Sequence, residues 1–202
     1  IEYDRFKDNK KRLYSNEAKE IRNKLGIKYD DIVVGYVGKF IPKKNPLFLL
    51  NAVRKFNQNS EKKLKLLFIG NGPLENKMKS SARNYDNVLF YPFVNQNKIP
   101  AAYRHLDIFI LPSKGRKESW GISVNEALAC ERLVLVSNEV GCAADLVKDN
   151  LNGAVFKSGN YDDFSKNLTD LLNKNNFTQE NKNNPVTFNT SAKIIEDLVG
   201  KL

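Results

Sequence analysis

Glu118 and Glu126, set eight positions apart, are the residues of this chain best placed to do chemistry. Leu111-Pro112-Ser113 ends an apolar run, and Glu118-Ser119-Trp120-Gly121-Ile122-Ser123-Val124-Asn125-Glu126 follows it into a helical pattern. Glu118 then falls in the loop before a helix, and Glu126 about one turn inside it. Between them, Trp120, Gly121 and Ile122 present backbone N–H groups at the helix N-terminus, where they lack intrahelical partners and the dipole favours anions or hydroxyl oxygens. Two chemistries fit such a pair. The carboxylates can accept hydrogen bonds from ligand hydroxyls, or they can act as a general acid and base. Hydrolysis is disfavoured, because nothing else in the chain supplies a hydrolase cleft.

A second cluster is Val37-Gly38-Lys39-Phe40-Ile41-Pro42-Lys43-Lys44-Asn45. Gly38 lets a ligand approach the backbone, and Lys39 and Lys44 flank a tight turn as point charges suited to a diphosphate. A solvated basic turn is the competing reading in a chain this rich in lysine. Gly70-Asn71-Gly72-Pro73 is a further tight turn, readable as a phosphate nest or as plain structure. Cys130 and Cys142 have neither the number nor the spacing of a disulfide framework or zinc site, and they read as reduced thiols. The sole histidine, in Tyr103-Arg104-His105-Leu106-Asp107, has no neighbouring metal ligands and reads as structural.

These loops need a scaffold. Short apolar runs at Ile32–Val37, Leu64–Ile69, Val88–Tyr91, Ile108–Leu111, Leu133–Val136 and Ala154–Phe156 alternate with helical patterns. The helices are expected near Pro46–Asn57, Leu74–Asn84, Lys98–Arg104, Ile122–Ala129, Ala143–Val147 and Tyr161–Leu172. Near-continuous apolar strands alternating with helices indicate a parallel α/β sheet covered on both faces. Ligands of such sheets sit at the carboxyl ends of the strands, which is where the glutamate and lysine loops fall. Asn45 and Pro46 form a helix-start signal. Residues 1–30 form a charged leading segment with a helix near Asn16–Leu25 stopped by Gly26. Residues 31–175 form the ligand-binding body. Residues 176–202 continue an Asn-rich loop that begins near 173 and close with an amphipathic segment, Ser191–Leu198.

The 202 residues are 41% hydrophobic and 28% charged, which suits one soluble domain. No apolar run reaches the roughly 20 residues of a membrane span, and no signal-peptide pattern opens the chain. The formal charge of +10 is spread over lysines accompanied by asparagines. No nucleic-acid-binding motif accompanies it, so nucleic acid is not an expected partner, while anionic membranes and phosphorylated ligands are compatible with it. The chain opens at Ile1 and its one methionine is Met78, which predicts a fragment of a longer protein.

Taken in order, these segments resemble glycosyltransferase family 4, the group 1 glycosyltransferases. Glu118 and Glu126 match the E-x(7)-E motif of that family, and Val37-Gly38-Lys39-Phe40 with Lys44 its glycine–basic loop. Tyr3-Asp4-Arg5-Phe6 is similar to the segment after the interdomain crossover. Gly70-Asn71-Gly72-Pro73, Leu111-Pro112-Ser113 and Asn152-Gly153 also match, so the resemblance runs from about Tyr3 to Leu172. It implies the C-terminal half of a GT-B enzyme, a Rossmann-like parallel sheet with helices on both faces. That half binds a nucleotide diphosphate sugar for retaining transfer, with no cofactor and no metal. By the same resemblance Lys39 and Lys44 neutralise the diphosphate, and Gly38 admits it. Trp120, Gly121 and Ile122 offer backbone donors to phosphate and sugar, Glu118 binds sugar hydroxyls, Glu126 binds the ribose, and Val94 meets the base through its backbone. Glu118, Lys39 and Lys44 would be the catalytic set. The acceptor, a glycan or lipid-linked sugar of polysaccharide or glycolipid synthesis, would be held by an N-terminal domain outside these residues, so this polypeptide alone is expected to transfer nothing. A cytoplasmic location, with peripheral association at the inner face of the membrane, is implied too.

Three positions depart from the family. Lys39 stands for a common Arg, Asn45 for a frequent Gly, and Asp145 near a frequent Glu. A nucleotide-sugar epimerase of related fold is opposed by E-x(7)-E. A dinucleotide-dependent oxidoreductase is opposed by the lack of G-x-G-x-x-G after a strand. The remaining alternative is a non-catalytic module binding nucleotide sugars or polyanions.

Overall fold

Six apolar runs become six strands, and all of them run parallel. A computed structural model of the protein describes residues 3–6, 13–115, 120–149 and 151–174. The strands are β1 (Ile32–Val37), β2 (Leu64–Ile69), β3 (Val88–Tyr91), β4 (Ile108–Leu111), β5 (Leu133–Ser137) and β6 (Gly153–Phe156), in the sheet order β3-β2-β1-β4-β5-β6. The helices are α1 (Tyr14–Lys24), α2 (Pro46–Asn59), α3 (Glu75–Ala82), α4 (Ile99–Arg104), α5 (Ile122–Ala129), α6 (Ala143–Leu146) and α7 (Tyr161–Lys174), with single 3-10 turns at Tyr3–Phe6, Pro42–Lys44 and Gln96–Lys98. The α2, α3 and α7 helices pack as one group, and α1, α4 and α5 as another, each against the sheet. Val33, Val34, Leu66, Leu67, Phe109, Ile110 and Leu135 are wholly buried, each such side chain contributing roughly 1.5–3 kcal/mol. The expected strands and helices are therefore present, with ends displaced by a residue or two. Among the described residues no helix is long and apolar enough to cross a membrane.

Some expectations change in detail. β3 is only half-buried along its length, because it is the sheet's edge and lacks a neighbour on one side. The helix expected near Asn16–Leu25 starts earlier, at Tyr14, and Gly26 ends it at φ +65°. Asn45 makes no side-chain cap. It sits instead in the left-handed conformation (φ 52°, ψ 43°), and its carbonyl accepts from Phe48 N–H at 3.1 Å. Asparagine tolerates that conformation better than most side chains, so the turn survives without the glycine frequent there. The Asn-rich stretch beyond Lys174 and Ser191–Leu198 lie outside the described residues.

The leading segment is stitched to the sheet rather than hung from it. Arg22 of α1 donates to the carbonyls of His105 (2.9 Å), Lys28 (3.2 Å) and Asp31 (3.1 Å). Arg104 donates to the Phe6 carbonyl at 2.9 Å, and Phe6 is buried. His105, at the C-terminal end of α4, has no exposed surface. Burial first, and the nearby Arg22 charge second, bring its pKa down to about 4; its contact with the Ala18 backbone only partly offsets them.

The buried neutral ring fixes the sign of a pH effect. The unfolded chain takes up this proton near pH 6.5, whereas the folded ring refuses it until about 4. Its contribution is full above pH 6.5 and is lost as pH falls from there to 4, by about 3 kcal/mol. His105→Gln should flatten that part of the urea-denaturation profile. Since this is the only histidine, its ring-proton NMR signal is unambiguous, and a midpoint near 6.5 would contradict the assignment.

Candidate functional site

The strand order reverses between β1 and β4, so the loops leaving these strands depart in opposite directions and leave a crevice at their carboxyl ends. One wall is the loop Gly38–Asn45. Its backbone is fastened to the end of β2 and the loop after it by three bonds: Gly38 N–H to the Ile69 carbonyl (2.9 Å), Phe40 N–H to the Asn71 carbonyl (2.7 Å), and Leu74 N–H to the Phe40 carbonyl (3.1 Å). Tyr36 reaches up from β1 and donates its hydroxyl to the Lys39 carbonyl at 2.7 Å. The contact is so close that a Cβ on Gly70 would lie 2.1 Å from the Gly38 carbonyl oxygen, and one on Gly72 would lie 2.7 Å from Phe40 N. Gly70-Asn71-Gly72-Pro73 therefore serves as a buttress that shapes the lysine loop, the structural alternative for that turn.

The opposite wall is the loop after β4 and the start of α5. Lys114 N–H donates to the Lys43 carbonyl at 2.8 Å, which ties the two walls across the strand reversal. The Ser113 carbonyl accepts from Ser137 Oγ (2.6 Å) and Ser158 Oγ (2.9 Å), anchoring the same loop to β5 and to the loop after β6. Gly121 precedes α5 at φ +97°, and a Cβ there would meet Val140 Cγ1 at 2.7 Å. Trp120 is held by its indole N–H donating to Asn125 Oδ1 at 3.0 Å and by its carbonyl accepting from Cys142 N–H at 2.8 Å. The exposed Trp120 and Ile122 flank this helix end, where Val124 N–H donates to the Gly121 carbonyl at 2.8 Å. Gly121 makes no side-chain cap there.

Glu126 is half-buried on α5. Tyr103 of α4 donates its hydroxyl to Glu126 Oε2 at 2.8 Å. Burial raises the Glu126 pKa above the ordinary carboxylate value, while the Tyr103 hydrogen bond, Arg5 and Lys44 pull it back in part. Lys44 and Glu126, on opposite walls, are thus within electrostatic reach of each other, and so is Arg5. Arg5 itself donates to the carbonyl and side-chain oxygens of Gln96 (3.3 and 2.6 Å). Lys39 is exposed at the loop's tip, and Gly38 is half-buried beneath it. Val94 is buried, its residue lining a cavity of about 330 Å³ between α1 and α4 together with Tyr91, Ala101 and His105. Glu118 lies outside the described residues. Asp145 is exposed on α6.

Of the expected site residues, Lys44 and Glu126 are within electrostatic reach of each other, while Gly38 and Lys39 lie on the loop after β1, and Trp120, Gly121 and Ile122 at the start of α5. Val94 sits to one side, in the loop after β3. Tyr103 and Arg5 carry no role in the sequence reading. Tyr103 is 23 positions from Glu126 on another helix, and only the fold brings the two together. Both cysteines are buried free thiols, Cys130 pushed up to about 12 chiefly by burial. Among the described residues no cluster of three or more metal-binding side chains occurs.

The family described as Glycosyl transferases group 1 matches residues 17–185. D-inositol 3-phosphate glycosyltransferase 2 of Catenulispora acidiphila is 30% identical over 85% of this chain and 40% of its own length. The Escherichia coli UDP-Gal:alpha-D-GlcNAc-diphosphoundecaprenol alpha-1,3-galactosyltransferase is 28% identical over 69% of this chain and 36% of its own. The chain thus spans between about a third and two fifths of the curated relatives it matches. Among solved structures, the C-terminal domain of a group 1 glycosyl transferase, LpcC of Francisella tularensis, superposes with a TM-score of 0.70 at 17% identity, covering 95% of this chain and 97% of that domain. That likeness is one of fold, and it identifies the sheet as the C-terminal half of the GT-B architecture.

The interlocked loops predict sharply different costs for two glycine substitutions. Gly70→Ala drives a methyl into backbone and should cost more than about 2 kcal/mol. Gly26→Ala is strained only by its left-handed backbone, has nothing within 4 Å of the new methyl, and should cost about 1 kcal/mol. Urea denaturation of both variants checks this, and equal losses would show that the loop contact carries no special weight.

Proposed function

The chain belongs to the group 1 glycosyltransferases, and we propose that it is the half of a retaining enzyme that binds the nucleotide diphosphate sugar. The observation that carries the reading is the crevice itself. Across the reversal of strand order, Lys44 of the loop after β1 lies within electrostatic reach of the half-buried Glu126 carboxylate on α5, the helix that the loop after β4 leads into. Cations and helix-end N–H groups suit a diphosphate, and a carboxylate suits vicinal hydroxyls.

On this reading Lys39 and Lys44 neutralise the diphosphate as it leaves, and Gly38 lets it approach the backbone. Trp120, Gly121 and Ile122 direct N–H groups at phosphate and sugar, Glu126 accepts from the ribose hydroxyls, and Glu118 accepts from the donor sugar. The Val94 backbone serves the base. Fixed cations and dipoles stabilise developing charge without reorganisation, so the proposal needs neither metal nor cofactor. The Escherichia coli relative uses a UDP-sugar and a lipid-linked acceptor by its name, which supports a UDP-sugar donor and an acceptor of glycan or lipid-linked type, in polysaccharide or glycolipid synthesis. Aligning that acceptor with the donor calls for a second, acceptor-side domain, since transfer depends on holding both reactants in register.

The reading is tested by thermal unfolding against UDP, GDP, ADP and their sugars. The matching nucleotide at a hundredfold excess over its dissociation constant should stabilise the chain by about 2.7 kcal/mol. Glu126→Ala and Lys44→Ala should each remove most of that shift while leaving the unliganded fold intact. No shift with any nucleotide at millimolar concentration counts against the donor site. In a transfer assay these 202 residues by themselves should show no turnover, and rates on the order of 1 s⁻¹ would overturn the requirement for a second domain.

A further inference from the structure

We propose that Tyr103 is a positioning residue for Glu126: its hydroxyl occupies one carboxylate oxygen and leaves the other to accept from a bound ligand. The inference rests on the donor-site reading for the identity of that ligand, but not for the contact itself. Tyr103 is wholly buried on α4, and its ring meets Phe109 of β4 edge-on, centroids 5.4 Å apart at 75°. The ring therefore has little freedom to swing, and its hydroxyl lies 2.8 Å from Glu126 Oε2. The Cys130 thiol at the end of α5 points at the Pro100 carbonyl, 3.7 Å away, so α4 and α5 are also joined beyond this pair.

A phenol has one proton to donate. Burial and the neighbouring Glu126 charge raise the Tyr103 pKa well above its ordinary value, so it remains a donor across the working pH range. The carboxylate consequently keeps its acceptor role, with the lone pairs not engaged by Tyr103 left for hydroxyls. The charged and titratable groups facing Glu126 are Tyr103 from α4, Arg5 from the first 3-10 turn, Lys44 from the loop after β1, and Cys130 at the end of its own helix. Of the influences that favour its ionised form, the Tyr103 hydrogen bond is the largest. Without it, burial has less opposition and Glu126 holds its proton to higher pH. A protonated carboxyl has lost half of its acceptor character.

The experiment follows the Glu126 side-chain carboxyl by ¹³C NMR in the wild type and in Tyr103→Phe, with Glu126→Gln assigning the signal. The midpoint should rise in Tyr103→Phe by about 1–2 pH units, the scale of a hydrogen bond to a charged group. With UDP as the probe, the acid limb of binding should move up by the same amount, and Glu126→Gln should have no such limb. Tyr103→Phe added to Glu126→Gln should weaken UDP binding no further. A Tyr103→Phe protein that is less stable but keeps both the carboxyl midpoint and the UDP profile would reduce Tyr103 to a packing role and overturn the proposal. Should the variant not fold, incorporating 3-fluorotyrosine, a stronger donor, must move the midpoint down, and no movement overturns the proposal equally. Failure of the wild type to bind UDP, GDP or ADP overturns the donor reading instead, while the ligand-free titration still decides whether Tyr103 holds the carboxylate.

Discussion

The rest of the molecule depends on a constraint of topology. In an all-parallel sheet every strand delivers its carboxyl end to the same edge, and crossover helices cover the faces. Between β1 and β4 the order reverses, so no crossover spans the pair and their loops part. The crevice that results is narrow enough for Lys114 N–H to reach the Lys43 carbonyl. Residues distant in the chain then meet without any local signal between them. The glycines of the loop after β2 follow from the same constraint, because the lysine loop leans directly on that backbone and leaves no space for a Cβ.

Electrostatics in the crevice are a balance rather than an excess of positive charge. The formal charge of +10 is spread over the surface, whereas the site combines Lys44 and Arg5 with a half-buried carboxylate. A carboxylate beside an anion-binding helix end would be unfavourable if its task were to meet phosphate. It is reasonable if its task is to accept from hydroxyls a few ångströms further along the same ligand. Surface lysines alone would attract any polyanion and are screened by salt. The half-buried Glu126 carboxylate and its buried Tyr103 partner are less subject to that screening.

The strands and most helices were legible in the residues, because near-continuous apolar runs such as Leu66–Ile69 and Ile108–Leu111 have few other uses at that length. The lysine loop and the E-x(7)-E segment were legible as loops at strand ends. Their convergence was not, since the sheet order that unites β1 with β4 leaves no mark in either segment. The Tyr103–Glu126 pair was invisible for a related reason. The segment Tyr103-Arg104-His105 draws attention to the histidine, which is buried just past the end of α4, while the tyrosine two positions before it reaches Glu126. Pattern placed Asn45 correctly at the N-cap and Pro46 at the first helical position, but did not give the way Asn45 acts there. Its type and place before Pro46 suit a side-chain cap, yet the residue accommodates a left-handed turn with its backbone.

That last detail bears on how far the loop can vary. A left-handed residue after Lys44 is required because the chain must turn from the 3-10 turn Pro42–Lys44 into α2 within one position. Glycine meets the requirement at no steric cost, and asparagine meets it at a small one. A β-branched side chain would meet it badly and would displace Lys44, whose charge acts on Glu126 across the crevice. Position 45 therefore governs the site through backbone geometry alone. Lys39 is under a different constraint. Its carbonyl is fixed by Tyr36 while its side chain is exposed, so an exchange between guanidinium and ammonium changes the geometry of the donors the loop presents without altering the loop itself.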